Sequence, residues 1–350
     1  MPISIVVGGQ FGSEGKGKVA LEIVRRNAGP VTVVRVGGPN SGHTAYDMNG
    51  KKWALRQMPA ACVDKNVDVV FPEGSFLEPS LLMSEIRALD YPMDRVFISE
   101  HAKIILPAHK KWEQDAELVA SIGSTGSGVG GAVMALAARH ARNFPLPSAE
   151  AGNNGILHGL THDTSSILEK ALSRQDRVVI EGTQGFGLSL LEGAYWPKVT
   201  SRITTASGAL SEAGLSPRDV DDITMVIRSF PIRVAGDSGP LVGETTWSDI
   251  ARITNREDTL AEYTTVTQKI RRVGVFDSIQ VSRALRANNP HRLVLNHLDY
   301  LGSEDQLHQT GSGVRSFVLK IQREIGRKVN WFGFSPIGVT EGKAADELTD

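Results

Sequence analysis

An α/β fold with a mainly parallel central sheet flanked by helices is what this sequence predicts. Short apolar, β-branched runs alternate with amphipathic stretches along the chain. Several of those runs are almost continuously hydrophobic, as expected of strands covered on both faces. The longest irregular stretches, Gly123–Gly131, Gly182–Gly208 and Ala235–Thr246, are rich in Gly, Ser and Thr. Structureless loops of that length inside a compact domain are usually functional.

Taken in order, the start Met1-Pro2-Ile3-Ser4-Ile5-Val6-Val7 reads as a first strand, Ile3–Gly8, and lacks the basic stretch and cleavage site of a signal peptide. A glycine-rich loop then opens a helix over Gly17–Arg26. Further strands are expected at Val31–Val36, Val67–Phe71, Arg95–Ile98, Lys103–Leu106, Arg177–Glu181, Ile223–Ile227 and Arg292–Asn296. Between them, helices are expected at Pro79–Leu89, His109–Ala120, Ala132–Ala141, Ser165–Leu172, Ile279–Leu285 and Val314–Ile325. No composition shift marks a linker and no repeat is visible, so residues 1–350 read as one domain, with loops gathered above the carboxyl ends of the strands.

Bulk properties narrow the function. With 38 Lys+Arg against 39 Asp+Glu the formal net charge is −1, which argues against a duplex-binding protein and leaves room only for a local basic pocket. No segment approaches the roughly 20 apolar residues that span a bilayer. The single cysteine, Cys62, has no internal partner for a disulfide, which points to a reducing compartment, the cytoplasm. It reads as a small buried apolar residue rather than a nucleophile.

The first loop carries chemistry. Gly8-Gly9-Gln10-Phe11-Gly12-Ser13-Glu14-Gly15-Lys16-Gly17-Lys18 joins strand to helix, so that backbone N–H groups, the helix N-terminus and Lys16 converge on an anion. It departs from the ordinary Walker A loop. Gln10 stands where its first Gly would be, and Gly17 replaces the magnesium-binding Ser/Thr.

The same segment resembles the signature of the adenylosuccinate synthetase family, Gly-x-Gln-Trp-Gly-Asp-Glu-Gly-Lys-Gly-Lys, with Phe11 for Trp and Ser13 for the catalytic aspartate. The resemblance continues in the family's order. Its further blocks are Gly38–Thr44, Ser124–Gly128 with Arg139 beyond it, Glu181–Gly185, Pro197–Ser201, Thr265–Gly274 and Leu295–Asp299. It implies a P-loop-related α/β fold and a ligase. A nucleoside triphosphate phosphorylates the purine 6-oxygen, aspartate displaces the phosphate, and magnesium assists.

By that resemblance Gly15, Lys16, Gly17, His43 and Thr44 face the donor phosphates, with Asn296, Asp299 and Ser335 near the donor nucleotide and Gly42 as a magnesium ligand beside Ser13. His43 would be general acid or electrostatic partner at the transferred phosphoryl, a role suited to a group that changes charge near neutrality. Gln184 would bond the base near O6. Asn40, Ser124, Thr125, Arg139 and Thr200 would hold the monophosphate, Arg139 from the neighbouring subunit of a homodimer. Thr267, Lys269 and Arg271 would face aspartate, the fork of Arg271 suiting its carboxylates and also reaching the donor. Lys269, Arg271 and Arg272 lie in a segment otherwise poor in acids, so a solvated basic strip is the plainer alternative. The family's Lys-Leu-Asp reader of guanine appears as His297-Leu298-Asp299, which leaves GTP open as donor beside ATP or dATP.

Ser13 bears on the substrate. Serine is a poor base for the N1 proton, so another group must take it: a magnesium-bound oxygen, a water or a neighbour. A 2-amino purine would crowd a carboxylate at this position and would accept a hydroxyl. With Gln10–Ser13, Ser121–Gly126, Gln184–Leu190 and Thr200–Arg202, this resembles the bacteriophage branch of the family that joins aspartate to dGMP on the way to 2-aminoadenine DNA and uses ATP or dATP. The expectation is therefore dGMP, L-aspartate and a purine triphosphate as partners, with no nucleic acid or membrane, in the host cytoplasm if phage-encoded. A conventional enzyme using IMP and GTP, and an inactive nucleotide-binding regulator, are the competing readings. Retention of Lys16, His43, Gln184 and Arg271 together argues against the regulator.

Overall fold

The computed structural model describes residues 2–254, 261–264 and 269–342. Ten strands form one sheet: β1 (Ile3–Gly8), β2 (Val31–Arg35), β3 (Asp68–Phe71), β4 (Val96–Ser99), β5 (Thr161–His162), β6 (Arg177–Glu181), β7 (Val220–Arg228), β8 (Arg292–Asn296), β9 (Trp331–Phe332) and β10 (Thr340–Glu341). Their order across the sheet is β10-β9-β8-β7-β1-β6-β2-β3-β4-β5. Every neighbouring pair is parallel except β9–β10 at one edge.

The near-continuous apolar strands follow from this placement. Alternate residues of each strand feed two separate cores. Val6, Val33, Val69, Val179, Val226 and Val294 join the core that includes helices α1 (Lys16–Arg26) and α2 (Pro79–Leu89). Ile5, Val34, Val70, Ile180, Ile227 and Leu295 join the core beneath Thr164–Ser173, Ala206–Glu212, Ser278–Asn288 and Gly313–Ile325. With both faces covered, neither set of side chains is spared from being apolar.

The strand order places a switch point at β1. The chain leaves β1 through α1 toward β2 on one side, while β7 lies on the other and β6 is inserted between β1 and β2. Loops leaving the carboxyl ends of β1, β2, β6, β7 and β8 therefore meet over one crevice, where ligands bind in open α/β sheets.

Four sequence expectations need correction. Lys103–Leu106 contributes only the short strand Lys103–Ile104, paired with Phe76–Leu77 outside the main sheet. The helix expected over His109–Ala120 is two, Pro107–Asp115 and Leu118–Ile122, because Glu117 takes a left-handed conformation (φ 51°) and turns the chain. The helix expected over Ala132–Ala141 is Val129–Ala138, stopped by Arg139 at φ 49°. The stretch Gly182–Gly208 is not wholly irregular, since its end enters the helix Ala206–Glu212. Cys62 is free and buried, and burial pushes its thiol well up, which makes it inert. Among the described residues no helix is long and apolar enough to cross a membrane.

Candidate active site

The loop after β1 is organised around its own carboxylate. Glu14, fully buried, accepts hydrogen bonds from the backbone N–H of Gln10 (3.1 Å) and Gly12 (2.8 Å) and pairs with Lys16 Nζ (2.7 Å). Gly12, Ser13 and Gly15 all sit at positive φ, of 90°, 57° and 91°. For Ser13 that conformation costs about 1 kcal/mol, which the surrounding bonds sustain. Gly15 caps α1, and a side chain there would collide with Asn296 Nδ2 at 2.6 Å. Asn296 Nδ2 in turn donates to Glu14 O (2.7 Å). From β7, Arg228 Nη1 donates to Ser13 O (3.0 Å), and its backbone N–H donates to Gln10 Oε1 (2.9 Å). Ser13 thus sits half-buried on a loop tied to β7 and β8 as well as β1.

His43 begins a hairpin, His43–Tyr46 with Lys52–Leu55, and packs on the first turn of α1 so closely that a side chain at Gly17 would lie 2.9 Å from its Cβ. Its Nδ1 lies 2.5 Å from Glu181 Oε1 at the end of β6 and 2.8 Å from Arg35 Nη1 at the end of β2. A guanidinium only donates, so the arrangement that satisfies all three groups has Nδ1–H donating to Glu181 and Arg35 Nη1 donating to the same oxygen (3.0 Å). The lone pair is then on Nε2, which faces Ser41 Oγ at 3.4 Å; Ser41 Oγ also accepts from the Gln184 N–H. Burial, and then Arg35, push the His43 pKa down to about 4, so the ring is neutral at pH 7. Burial raises Glu181, but the bonds from His43 and Arg35 and from the Ala60 N–H overcome it and hold the carboxylate at about 2.

Gln184 (φ 52°) follows β6 and is buried, yet neither atom of its side-chain amide has a hydrogen-bond partner among the described residues. Asn40 Oδ1 is likewise unpartnered. Leaving such a group unpaired costs about 1–3 kcal/mol, so both read as awaiting a polar ligand. Ser124 Oγ accepts from Gly126 N–H and Thr125 Oγ1 meets Ser127 Oγ at 2.8 Å, an anchored turn before the helix Val129–Ala138. Thr200 is fixed by its N–H to Leu188 O (2.7 Å). Arg139 is exposed and its side chain makes no hydrogen bond or ion pair among the described residues. It is not gathered with the others in one chain.

Arg271 is not the solvated strip the sequence allowed. Its Nη1 lies 2.9 Å from Glu262 Oε2, and Glu262 also pairs with Arg228 and accepts from Tyr300 Oη (2.7 Å). The apparent lack of acids near Arg272 is corrected too, because Glu244 forks onto it. Lys269 is exposed, and Thr267 lies outside the described residues. Lys18 Nζ donates to Ser335 O (2.7 Å), and burial pulls its pKa down to about 8 against the charge of Asp299. Thr44 is exposed beside His43. His297, at φ 60°, points its ring toward Ser13 and Tyr300 rather than outward; burial and Arg228 push it down to about 3. Arg35, Glu181, Arg228 and Glu262 were not singled out by sequence.

No trio of His, Cys, Asp or Glu able to hold a metal occurs among the described residues. Mg²⁺ does not require one, since it keeps waters and takes one or two protein oxygens plus phosphates. The Ser13 hydroxyl and Gly42 carbonyl fit that donor set, whereas the Glu14 carboxylate is consumed within its loop.

Comparison with known proteins follows the same lines. A model of the adenylosuccinate synthetase family matches residues 5–144 and 151–311. The chain is 34% identical over 334 residues to adenylosuccinate synthetase of Thermococcus sibiricus, covering 93% of this chain and 94% of that one. It is 33% identical over 347 residues to that of a Pyrococcus species, covering 96% of each. Among solved structures, cyanophage S-2L succinoaminodeoxyadenylate synthetase bound to dGMP and dATP matches with a TM-score of 0.81 at 26% identity, over 99% of this chain and 97% of that one. The fully ligated adenylosuccinate synthetase of Plasmodium falciparum matches in fold, with a TM-score of 0.82 at 20% identity over 98% and 100% of the two chains.

Proposed function

Since the chain belongs to the adenylosuccinate synthetase family, we propose that it joins L-aspartate to C6 of dGMP, with ATP or dATP as phosphate donor. Members of the family are ligases that join aspartate to a purine nucleotide with hydrolysis of a nucleoside triphosphate, so the reaction class is settled by membership. The product of this reading is N6-succino-2-amino-2′-deoxyadenylate, a precursor of 2-aminoadenine DNA, made in the cytoplasm, that of the host cell if the chain is phage-encoded.

One observation carries the choice of base. The purine-facing loop offers no free carboxylate: Ser13 stands at the aspartate position, and Glu14 is turned inward onto Gln10, Gly12 and Lys16. A carboxylate there would take the N1 proton of hypoxanthine. With guanine it would instead clamp N1–H and the 2-amino group in the ground state, whereas a hydroxyl accepts from the amino group without holding it. The N1 proton then leaves to a water or a neighbouring group as O6 is phosphorylated. That dGMP and dATP are bound in the cyanophage relative supports the same reading.

The remaining roles follow. Gly15, Lys16 and Gly17 hold the donor phosphates, and bound Mg²⁺, held by Ser13 and Gly42, would neutralise their charge. His43 presents Nε2 to the phosphoryl in flight; the anion's arrival favours the protonated ring, and Glu181 stabilises it from behind. Gln184 supplies its unpaired amide to the base at position 6. Asn40, Ser124, Thr125 and Thr200 hold the monophosphate, completed by Arg139 of a second copy in a homodimer. Arg271 takes an aspartate carboxylate, and Thr267 and Lys269 are its companions in that role by the family resemblance. Asn296, Asp299 and Ser335 line the donor nucleotide.

Conventional use of IMP and GTP is the second reading, supported by the 34% and 33% identity to the adenylosuccinate synthetases of Thermococcus sibiricus and a Pyrococcus species. Aspartate-dependent phosphate release with Mg²⁺ and ATP or GTP, offering dGMP, GMP and IMP in parallel, separates them. Turnover with dGMP supports the proposal. Turnover with IMP alone overturns it.

A further inference from the structure

We infer that Glu262 is a positioning residue that couples the substrate-facing segments of the site, its one carboxylate being shared by groups from three of them. Arg228, at the end of β7 with a fully buried side chain, pairs with Glu262 through Nη2 and Nη1 while Nη1 also donates to Ser13 O (3.0 Å). Arg271 meets the same carboxylate at 2.9 Å, and its backbone N–H donates to Glu262 O (2.8 Å). Tyr300 donates its hydroxyl to Glu262 Oε1 (2.7 Å), with the His297 ring centroid 5.5 Å from its own. Ser13 belongs to the purine loop, Arg271 to the aspartate side, and His297 and Tyr300 flank Asp299 on the donor side.

A carboxylate has two oxygens and about four acceptor positions. Here two guanidinium groups and a phenol draw on them. Burial raises Glu262, and the charge and hydrogen bonds of Arg228, with the charge of Arg271, overcome this and hold it well below the usual carboxylate range, so it stays ionised. An incoming carboxylate on Arg271 competes with Glu262 for that guanidinium. Glu262 is then left more fully to Arg228, whose other bond fixes the Ser13 carbonyl. Binding of aspartate therefore firms the loop that holds the purine, and by reciprocity the purine nucleotide raises the affinity for aspartate. This rests on the reading of Arg271 as the aspartate ligand. A carboxylate that merely pinned the loops together would leave the two affinities independent.

The test is binding without turnover. Dissociation constants for dGMP and for IMP are measured by calorimetry on the full chain with and without saturating aspartate, with no triphosphate present. For whichever nucleotide binds, aspartate should tighten it at least ~5-fold. In Glu262→Gln that ratio should fall below about 2 while affinity for the nucleotide alone changes no more than about 3-fold. Tyr300→Phe, which removes one donor without uncovering a charge, should lower the ratio part of the way and serves if Glu262→Gln does not fold. A ratio of 1 in the unaltered protein, or an unaltered ratio in the variant that folds, overturns the inference. Arg271→Ala tests the underlying assignment separately. Unchanged aspartate affinity there means that Arg271 is not the ligand, whereas weakened affinity with coupling intact in Glu262→Gln refutes the coupling alone.

Discussion

His43 Nδ1 and Glu181 Oε1 lie 2.5 Å apart, joining the hairpin after β2 to the end of β6. The contact decides which nitrogen of His43 faces the site, because the proton on Nδ1 is committed to Glu181 and Nε2 is left for the ligand side. Arg35 and two backbone N–H groups, of Ala60 and Ala61, lock the carboxylate in turn.

Glu181→Gln should therefore reduce kcat with little change in KM for the purine nucleotide. General acid–base groups contribute about 10²–10⁴-fold, and a loss of roughly 30-fold or more is expected from misorienting one. Steady-state kinetics at saturating aspartate check this. A variant that folds and keeps the parent kcat would show that His43 needs no such partner.

Acid should weaken the fold before it titrates the carboxylates. His43 and His297 have folded pKa values of about 4 and about 3, below the ordinary 6.5. Between those values and 6.5 the unfolded chain binds more protons, so stability is full above about pH 6.5 and falls as pH drops below it. Each histidine contributes roughly 1 kcal/mol per pH unit. The depressed pKa of Glu181 adds a loss only lower, from about 4.5 toward 2. The urea midpoint should decline steadily from pH 7 to 5. A flat midpoint over that range contradicts the neutral state of both rings in the folded protein.

Gln184→Met should separate stability from activity. The amide has no partner in the absence of ligand, so an apolar side chain of similar size removes an unsatisfied group worth about 1–3 kcal/mol. Thermal denaturation should show an equal or higher midpoint, while kcat/KM for the purine nucleotide falls at least ~100-fold. A lower midpoint with activity retained would place Gln184 in the framework instead.

Much of the fold was legible because each principal strand had to be apolar on both faces, and the glycines of Gly8–Lys18 announced the tight turn from β1 into α1. The hairpin at His43–Leu55 had a readable signal as well, the Asn49-Gly50 turn, which outweighs its weakly apolar strands. Glu117 carried none, since glutamate seldom adopts the left-handed conformation that breaks the helix there. The ion pairs of the site were invisible for a different reason. Glu181 is 138 residues from His43 and Glu262 is 34 from Arg228, and only the meeting of loops at the switch point brings them together.

Ser13→Asp should move preference toward IMP, by about 10-fold or more in the ratio of kcat/KM values, since it restores a base at N1 and crowds the 2-amino group. Unchanged use of dGMP in that variant would remove Ser13 as the device of selectivity.

The most direct measurement is a competition in which one preparation receives equal dGMP and IMP with aspartate, Mg²⁺ and ATP, and the succinylated products are counted by mass. Excess N6-succino-2-amino-2′-deoxyadenylate is the predicted result. Adenylosuccinate as the dominant product would contradict the account.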